Sequence, residues 1–315
     1  MSEIWTMGEI LVEIMRPKAG MQLYEAGEFL GPYPSGAPAI FIDTVARLGH
    51  SAGIIGGVGD DDFGKCVLNR IASDGVDCTH VLKSKDASTA VAFVTYFEDG
   101  SRKFIFHIAD TPAVKAKCPD TLSINDLKYF HIMGCSLMAD RQFYEEIVKT
   151  LKMFTAKGAK ISFDPNIRQE LLGERDINDI IKPIMDECSV LFPGVEELQL
   201  ITGEENIEAA VEKLFNNEKM EIIALKRGKK GCTVFSRDVR FNLGVYNVVP
   251  VDPTGAGDSF DAGFLCGLLE GKALMECAKI ATAAASLNTA AFGPMEGNIS
   301  IDSVKELMET GEMDF

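Results

Sequence analysis

A glycine-rich turn near residue 255 carries the residue types best suited to chemistry. It reads Asp252-Pro253-Thr254-Gly255-Ala256-Gly257-Asp258 and follows an apolar run. Small residues that open a helix let successive backbone N–H groups point at one spot, which favours an anion. An acid beside such a spot can accept a hydroxyl proton, so the turn suits phosphoryl transfer. The alternative is that Asp258 only stabilises the positive end of its helix.

The elements that must position this turn follow a regular alternation. Short apolar runs near Gly, Pro or Asp predict buried strands at 4–7, 53–58, 129–133, 160–163, 190–192 and 221–225. Apolar spacings of three and four predict helices at 38–48, 62–72, 141–154, 206–215 and 257–269. This order predicts an α/β fold whose mostly parallel sheet is covered by helices on both faces, with ligands at the carboxyl ends of the strands.

One segment breaks the alternation. Residues 89–108 show two period-2 runs around Glu98-Asp99-Gly100-Ser101, which predicts a β-hairpin. Together with the irregular stretch at about 12–34, it predicts a small antiparallel β lid. No repeat or Pro/Ser-rich linker divides the chain, so we expect one domain over residues 1–315.

Composition narrows the class of function. The chain has 315 residues and a formal net charge of −16, which argues against a nucleic-acid-binding face. No run of 18 apolar residues predicts a membrane span, and the N-terminal residues do not have the pattern of a signal peptide. The eight cysteines lack paired C-x-x-C spacing. We therefore expect a cytoplasmic protein with reduced thiols that binds neither nucleic acid nor membrane.

Two common nucleotide motifs do not fit. If Gly57 and Gly59 began a dinucleotide fingerprint, position 62 would require glycine, but it is Asp62. A P-loop pattern is also missing from the sequence.

The turn at 252–260 resembles the C-terminal signature of the ribokinase-like (PfkB-type) carbohydrate kinases. Residues 35–49 and 56–64 resemble the sugar-side signature of that family, and the similarity extends over nearly the whole chain. Residues 164–168, Asp-Pro-Asn-Ile-Arg, are most similar to kinases of ketohexoses and of 2-keto-3-deoxygluconate. The resemblance implies a ribokinase-like fold and an ATP-dependent kinase that phosphorylates a primary hydroxyl of a six-carbon ketose or keto-sugar acid.

The resemblance also implies roles for individual residues. Asp258 would be the general base, and Gly255, Ala256 and Gly257 would form the anion hole. Contacts to the sugar would come from Glu13, Gly36, Asn166 and Arg168. The nucleotide would be contacted by Lys226, Gly228, Gly231, Thr254 and Thr282. His107 on the hairpin is a further candidate for a sugar contact, with a plain surface position as the alternative.

Ion sites and assembly follow from the same resemblance. Glu197 would organise Mg²⁺ through water, and a monovalent cation such as K⁺ would be bound by Asp252, Thr254, Ala291 and Gly293. The lid would also form the contact of a homodimer. The sequence departs from the family at Ser35, Ile40 and Gly194. These departures leave open a catalytically weak sugar-binding relative, or a nucleoside kinase. The acidic net charge and Glu13 favour a neutral ketohexose, such as tagatose or fructose, over a sugar acid.

Overall fold

The computed structural model describes residues 2–98, 101–120 and 127–314. Asp99 and Gly100, which belong to the predicted hairpin turn, lie outside these residues. The strands are β1 Ile4–Met7, β2 Leu11–Met15, β3 Leu30–Ser35, β4 Ala52–Gly59, β5 Asp77–Ser84, β6 Ala90–Tyr96, β7 Arg102–His107, β8 Tyr129–Met133, β9 Lys160–Asp164, β10 Cys188–Leu191, β11 Ile222–Lys226, β12 Cys232–Phe235, β13 Arg240–Leu243, β14 Val245–Tyr246 and β15 Met313–Asp314.

The helices connect these strands and cover the sheet. They are α1 Ala37–Arg47, α2 Asp62–Ser73, α3 Gly134–Ala139, α4 Arg141–Thr155, α5 Gln169–Leu172, α6 Ile177–Met185, α7 Val195–Thr202, α8 Ile207–Phe215, α9 Ala256–Leu269, α10 Leu274–Thr289 and α11 Ile301–Thr310. Several begin at a side-chain cap: Asp61 accepts from the Gly64 N–H at 2.8 Å, and Asp140 accepts from the Phe143 N–H at 2.9 Å. Such caps satisfy backbone donors that a helix start leaves without partners.

A large sheet forms the centre of the described molecule, in the order β13-β12-β11-β10-β9-β8-β1-β4-β5. The strands from β11 to β5 in this order pair in parallel, while β12 and β13 are antiparallel. All eight residues of β4 are buried, and its neighbouring residues Ile54 and Ile55 pack into two different apolar clusters. Both faces are therefore covered, which confirms the fold class expected from the alternating pattern.

A second, four-stranded sheet has the order β3-β2-β6-β7; it is the small sheet expected from residues 12–34 and 89–108, and we keep the name lid for it. Strands β2 and β3 are antiparallel, as are β6 and β7, but β2 and β6 pair in parallel. Ala92 and Val94 are fully buried, whereas Ile105 on the other face is 43% exposed. The lid thus presents one face to the molecule and leaves apolar side chains on the other.

The loop between β2 and β3 is organised by a buried arginine. Arg16 is fully buried and donates to the backbone carbonyls of Gln22, Glu25 and Glu28. Its guanidinium also lies 3.8 Å from the centre of the Phe29 ring. These bonds order a stretch whose sequence showed no regular period. None of the helices in the described ranges is long and apolar enough to cross a membrane.

Candidate active site

A polar cavity of about 200 Å³ lies between the lid and the carboxyl ends of the parallel strands. The last residue of β11 and residues that follow β1 and β9 meet there, as expected where the strand order reverses on either side of β1. Its lining includes Glu9, Glu13, Gly36, Arg102, Asn166, Arg168, Glu197, Lys226, Thr254, Gly255, Gly257 and Asp258.

Asp258 stands in the first turn of α9 and faces this cavity while only 7% exposed. The Asn166 side chain donates a hydrogen bond to its Oδ1 at 3.3 Å. Burial raises the pKa of Asp258 from 3.8 to about 7, and the nearby Asp164 carboxylate adds to the rise. A carboxyl group with this pKa can exchange a proton near neutral pH, which is the property that a general base requires.

The turn before Asp258 is built on Gly255, whose φ is +80°. A side chain there would overlap the Pro294 carbonyl and approach the Asn288 amide to 2.8 Å, so only glycine fits. At Gly257 a Cβ would meet only the Lys226 ammonium, at 3.5 Å. The backbone is therefore open toward a cation at the start of α9, where a phosphoryl group would find both N–H donors and positive charge.

Lys226 ends β11 within a buried group of carboxylates. Its ammonium lies 2.6 Å from Asp164 and 3.3 Å from Asp261. Burial alone would lower the pKa of Lys226, but the two carboxylates outweigh it and hold the pKa above 10.5. The ammonium is therefore charged at neutral pH and fixed in place.

Glu13 lies on lid strand β2 and Gly36 directly follows β3, and both line the polar cavity. Ser35 donates to Glu13 Oε1 at 2.7 Å, while Glu13 Oε2 is buried without a partner among the described residues. Burial raises the pKa of Glu13 to about 7. An unpartnered oxygen facing a polar cavity is suited to a sugar hydroxyl. Ser35, which departs from the family pattern, thus has the role of orienting Glu13.

The structure brings Arg168 to the cavity but not His107. Arg168 bonds the Ile167 carbonyl at 3.3 Å and lies 6.0 Å from the centre of the Phe104 ring. His107 is exposed and contacts Phe93 on the outward face of the lid. Successive residues of a strand point to opposite faces, so Arg102, Phe104 and Phe106 line the cavity instead.

A second, mostly apolar cavity of about 350 Å³ adjoins the first. It contains the predicted nucleotide residues Gly228, Gly231 and Thr282, but Thr254 lines only the polar cavity. Both cavities share Lys226, Pro253 and Gly257. A flat apolar ring with a polar chain could thus occupy the second cavity and extend toward Asp258.

The predicted ion ligands are largely engaged by the protein itself. Glu197 accepts from the Ile167 N–H at 2.9 Å and from the Gly194 N–H at 2.7 Å. In the described ranges no three acidic, histidine or cysteine side chains form a metal cage. Because each Glu197 oxygen already accepts a backbone N–H, Glu197 would reach Mg²⁺ through water, and phosphate and water would supply most of the direct ligands.

The predicted monovalent-cation residues are partly assembled. Asp252 accepts from the Thr254 N–H at 2.9 Å and from the Gly293 N–H at 3.0 Å, and the Thr254 carbonyl accepts from Asn288 at 2.7 Å. Ala291 has no bond to Asp252 among the described contacts; its N–H points to the Asn288 carbonyl. The Asp252 carboxylate and the Thr254 carbonyl thus each accept a protein donor, and the cation site at these residues stays a prediction.

Some residues of the site were not singled out from the sequence. Glu9 lines the polar cavity and accepts from Cys135 at 3.1 Å and from Ser136 at 2.5 Å. Arg102 lines it as well, and the alternation of Arg102 with Phe104 and Phe106 was the available signal. Nothing local in the sequence marks Glu9, because its partners come from a distant helix.

Comparisons with known proteins identify the family of this chain. Residues 2–301 match the model of the pfkB family of carbohydrate kinases. Fructokinase-1 of Oryza sativa subsp. japonica is 32% identical over 97% of both chains. The structure of a putative ribokinase II from E. coli in complex with ATP and Mg²⁺ is 36% identical, with a TM-score of 0.90 over 98% of this chain and 99% of that one.

A further solved structure holds a sugar. It is a double mutant of the fructokinase from Vibrio cholerae O395 bound to fructose, ADP and a potassium ion, 25% identical, with a TM-score of 0.86 over 98% of both chains. The family match covers most of the chain, and the relatives are matched over nearly their whole length. The chain therefore belongs to the pfkB family of carbohydrate kinases and is a phosphotransferase that acts on a sugar hydroxyl.

Proposed function

We propose that this kinase transfers the γ-phosphoryl group of ATP to a primary hydroxyl of a six-carbon ketose. The observation that carries the proposal is the junction of the polar and apolar cavities at Gly257 and Lys226, directly beside Asp258. The sugar occupies the polar cavity under the lid, and the adenine ring of ATP occupies the apolar cavity. The reacting groups then meet at the start of α9.

Asp258 acts as the general base in this proposal. Asn166 holds its Oδ1, which leaves Oδ2 to accept the proton of the attacking hydroxyl. The N–H groups at the start of α9 and the Lys226 ammonium stabilise charge on the transferred group. Glu197 would hold Mg²⁺ through water, and the ion would supply positive charge to the phosphates of bound ATP. Glu13, Gly36 and Arg168 orient the sugar.

A neutral ketohexose such as fructose or tagatose is the leading substrate. The fructokinase relatives support this choice. One observation favours a keto-sugar acid instead: Arg102 and Arg168 both line the cavity, while burial raises the pKa of Glu13 to about 7 and so weakens its repulsion of a carboxylate.

The experiment is a coupled ADP-release assay with ATP and Mg²⁺ against fructose, tagatose, 2-keto-3-deoxygluconate, ribose and adenosine. We expect the highest kcat/KM for a neutral ketohexose and a product phosphorylated on a primary carbon by NMR. A preference of about tenfold or more for 2-keto-3-deoxygluconate would select the sugar acid, since tenfold corresponds to about 1.4 kcal/mol of transition-state stabilisation. Sugar binding without ADP release would instead support a catalytically weak relative.

Assembly and location are part of the proposal. The outward face of the lid, with Ile105 43% exposed beside half-buried Phe93, is the proposed homodimer contact. We place the enzyme in the cytoplasm, where ATP is available, and cell fractionation tests this.

A further inference from the structure

The lid touches the catalytic turn through two residues that flank the tip of its hairpin. Tyr96 ends β6 and Arg102 begins β7. Both side chains reach across to the residues just before Gly255. The Tyr96 hydroxyl lies 2.8 Å from Asp252 Oδ1 and 2.7 Å from Thr254 Oγ1, and Arg102 donates to Thr254 Oγ1 at 3.4 Å.

The chemistry of these groups fixes the direction of the hydrogen bonds. A guanidinium can only donate, so Thr254 Oγ1 accepts from Arg102 and gives its own hydrogen to the Tyr96 oxygen. Tyr96 in turn donates to the Asp252 carboxylate. A tyrosine hydroxyl carries its proton at neutral pH, so it can serve as this donor. The bonds thus form one chain from the lid arginine to the buried carboxylate.

Asp252 connects this series of hydrogen bonds to the anion hole. Its carboxylate also accepts from the Thr254 N–H and from the Gly293 N–H, at 2.9 and 3.0 Å. These bonds fix the backbone one residue before Gly255 and join it to the segment whose Pro294 carbonyl packs on Gly255. Asp252 is 1% exposed, and loss of the Tyr96 donor would leave its Oδ1 with the Thr254 N–H alone, a weaker satisfaction of a buried carboxylate.

The hydrogen-bond chain joins two different parts of the site. Arg102 lines the sugar cavity, whereas Thr254 and Gly255 belong to the turn that receives the phosphoryl group. A lid that moves away from the cavity breaks the bonds from both Tyr96 and Arg102. The same movement removes a donor from Asp252 and loosens the turn.

We propose that Tyr96 and Arg102 are positioning residues that latch the lid to the Asp252–Thr254 turn, so that the anion hole is fully ordered only when the lid covers the sugar cavity. Neither residue touches the reacting atoms. The latch makes phosphoryl transfer depend on lid closure, which limits attack by water when the sugar cavity is open. This inference rests on the proposed role of the Gly255 turn in binding the phosphoryl group.

The test is Tyr96→Phe, which removes one hydroxyl and keeps the ring. We expect kcat to fall roughly tenfold, as for the loss of one hydrogen bond to a charged group, while the Kd of ATP measured without sugar stays within about twofold. Tyr24→Phe is the matched control, because Tyr24 is another lid tyrosine that is 82% exposed. It should leave kcat and KM unchanged.

A second variant and a second measurement separate the latch from general stability. The pair Tyr96→Phe and Thr254→Val should be non-additive, since either change breaks the same chain. Hydrogen exchange of peptides that contain Thr254 and Gly293 should become faster in Tyr96→Phe and not in Tyr24→Phe. Wild-type kcat and wild-type exchange in Tyr96→Phe would overturn the latch.

Hydrogen exchange also separates this proposal from the proposed function. If the wild-type protein releases no ADP with any sugar, the proposed function fails, but faster exchange at Thr254 and Gly293 in Tyr96→Phe would still support the latch. The alternative outcome is an active kinase in which the effects of Tyr96→Phe and Thr254→Val on kcat are additive and hydrogen exchange is unchanged. In that case the latch is refuted and the proposed function stands.

Discussion

Asn166 donates a hydrogen bond to Asp258 across the cavity, from a residue after β9 to the first turn of α9. Asn166 has a positive φ of 37°, a conformation that asparagine tolerates better than most residues. Its own backbone N–H is bound by the Asp164 carboxylate at 3.1 Å. The end of one strand therefore orients the candidate base on a helix more than ninety positions later in the chain.

Asp258→Asn tests the candidate base. The substitution keeps the shape and the place at the start of α9 but removes the group that accepts the proton. We expect kcat to fall by roughly 10² to 10⁴, with ATP binding by calorimetry unchanged. Asp302→Asn is the control, because Asp302 also stands in the first turn of a helix but is exposed. Near wild-type kcat in a folded Asp258→Asn protein would contradict the assignment.

The pH dependence of kcat/KM follows from burial of Asp258. Burial raises the pKa of this carboxyl to about 7, so it is protonated and inactive as a base below that pH. Activity should rise with pH, with unit slope in log kcat/KM, and level off above about 7. Because the pKa of Glu13 is also raised to about 7, the profile of Glu13→Gln is needed. The rise in log kcat/KM up to about pH 7 should remain in Glu13→Gln. Its loss in that variant would assign the titration to Glu13.

Much of the main sheet follows from local pattern. Buried runs such as Ile4–Met7 and Tyr129–Met133 are strands with the expected bounds, because apolar β-rich runs between turn residues have few alternatives. The predicted helix at 62–72 is observed as Asp62–Ser73. Strand Asp77–Ser84 did not stand out, since it lies at the edge of the sheet and none of its residues is fully buried.

The site could be predicted in part. The turn at Gly255 was identifiable because two glycines and an acid coincide in one short segment, and the positive φ and close packing of Gly255 show why glycine is needed there. The cavity face of the lid was not, because period 2 alone does not say which of the two sets of residues faces inward. The sequence analysis named His107 as a candidate sugar contact, yet the alternate set with Arg102 and Phe104 lines the cavity.

Gly255 and Gly257 should differ when each is changed to alanine. Gly255→Ala places a side chain at φ +80° and against the Pro294 carbonyl, so we expect a loss of roughly 1–3 kcal/mol in the free energy of unfolding in urea. Gly257→Ala meets only the Lys226 ammonium and should fold within about 0.5 kcal/mol of wild type. Its methyl group projects between the two cavities, and kcat should fall about tenfold. Equal stability losses would argue against this geometry.

Arg168→Ala distinguishes a neutral ketose from a sugar acid. Arg168 lines the polar cavity without a described carboxylate partner in hydrogen-bond contact, so it is free to bind a substrate carboxylate. If it does so, the substitution should raise KM for 2-keto-3-deoxygluconate at least about tenfold more than KM for fructose. Arg141→Ala, on an exposed helix start, is the control. Equal increases in KM for both sugars would mean that Arg168 orients a neutral sugar or the turn at residues 164–168.

The outward face of the lid should be the contact between two copies of this protein. Ile105 is 43% exposed beside half-buried Phe93, and an apolar sheet face of this kind is stabilised by a second copy of the same sheet. We expect a dimer by sedimentation velocity at micromolar concentration and a monomer for Ile105→Glu, because the substitution would bury a charge in the contact. Leu200→Glu is the matched control, since Leu200 is 45% exposed on α7, outside the lid. A wild-type monomer would refute the contact, whereas a dimer that persists in Ile105→Glu would move it elsewhere on the surface.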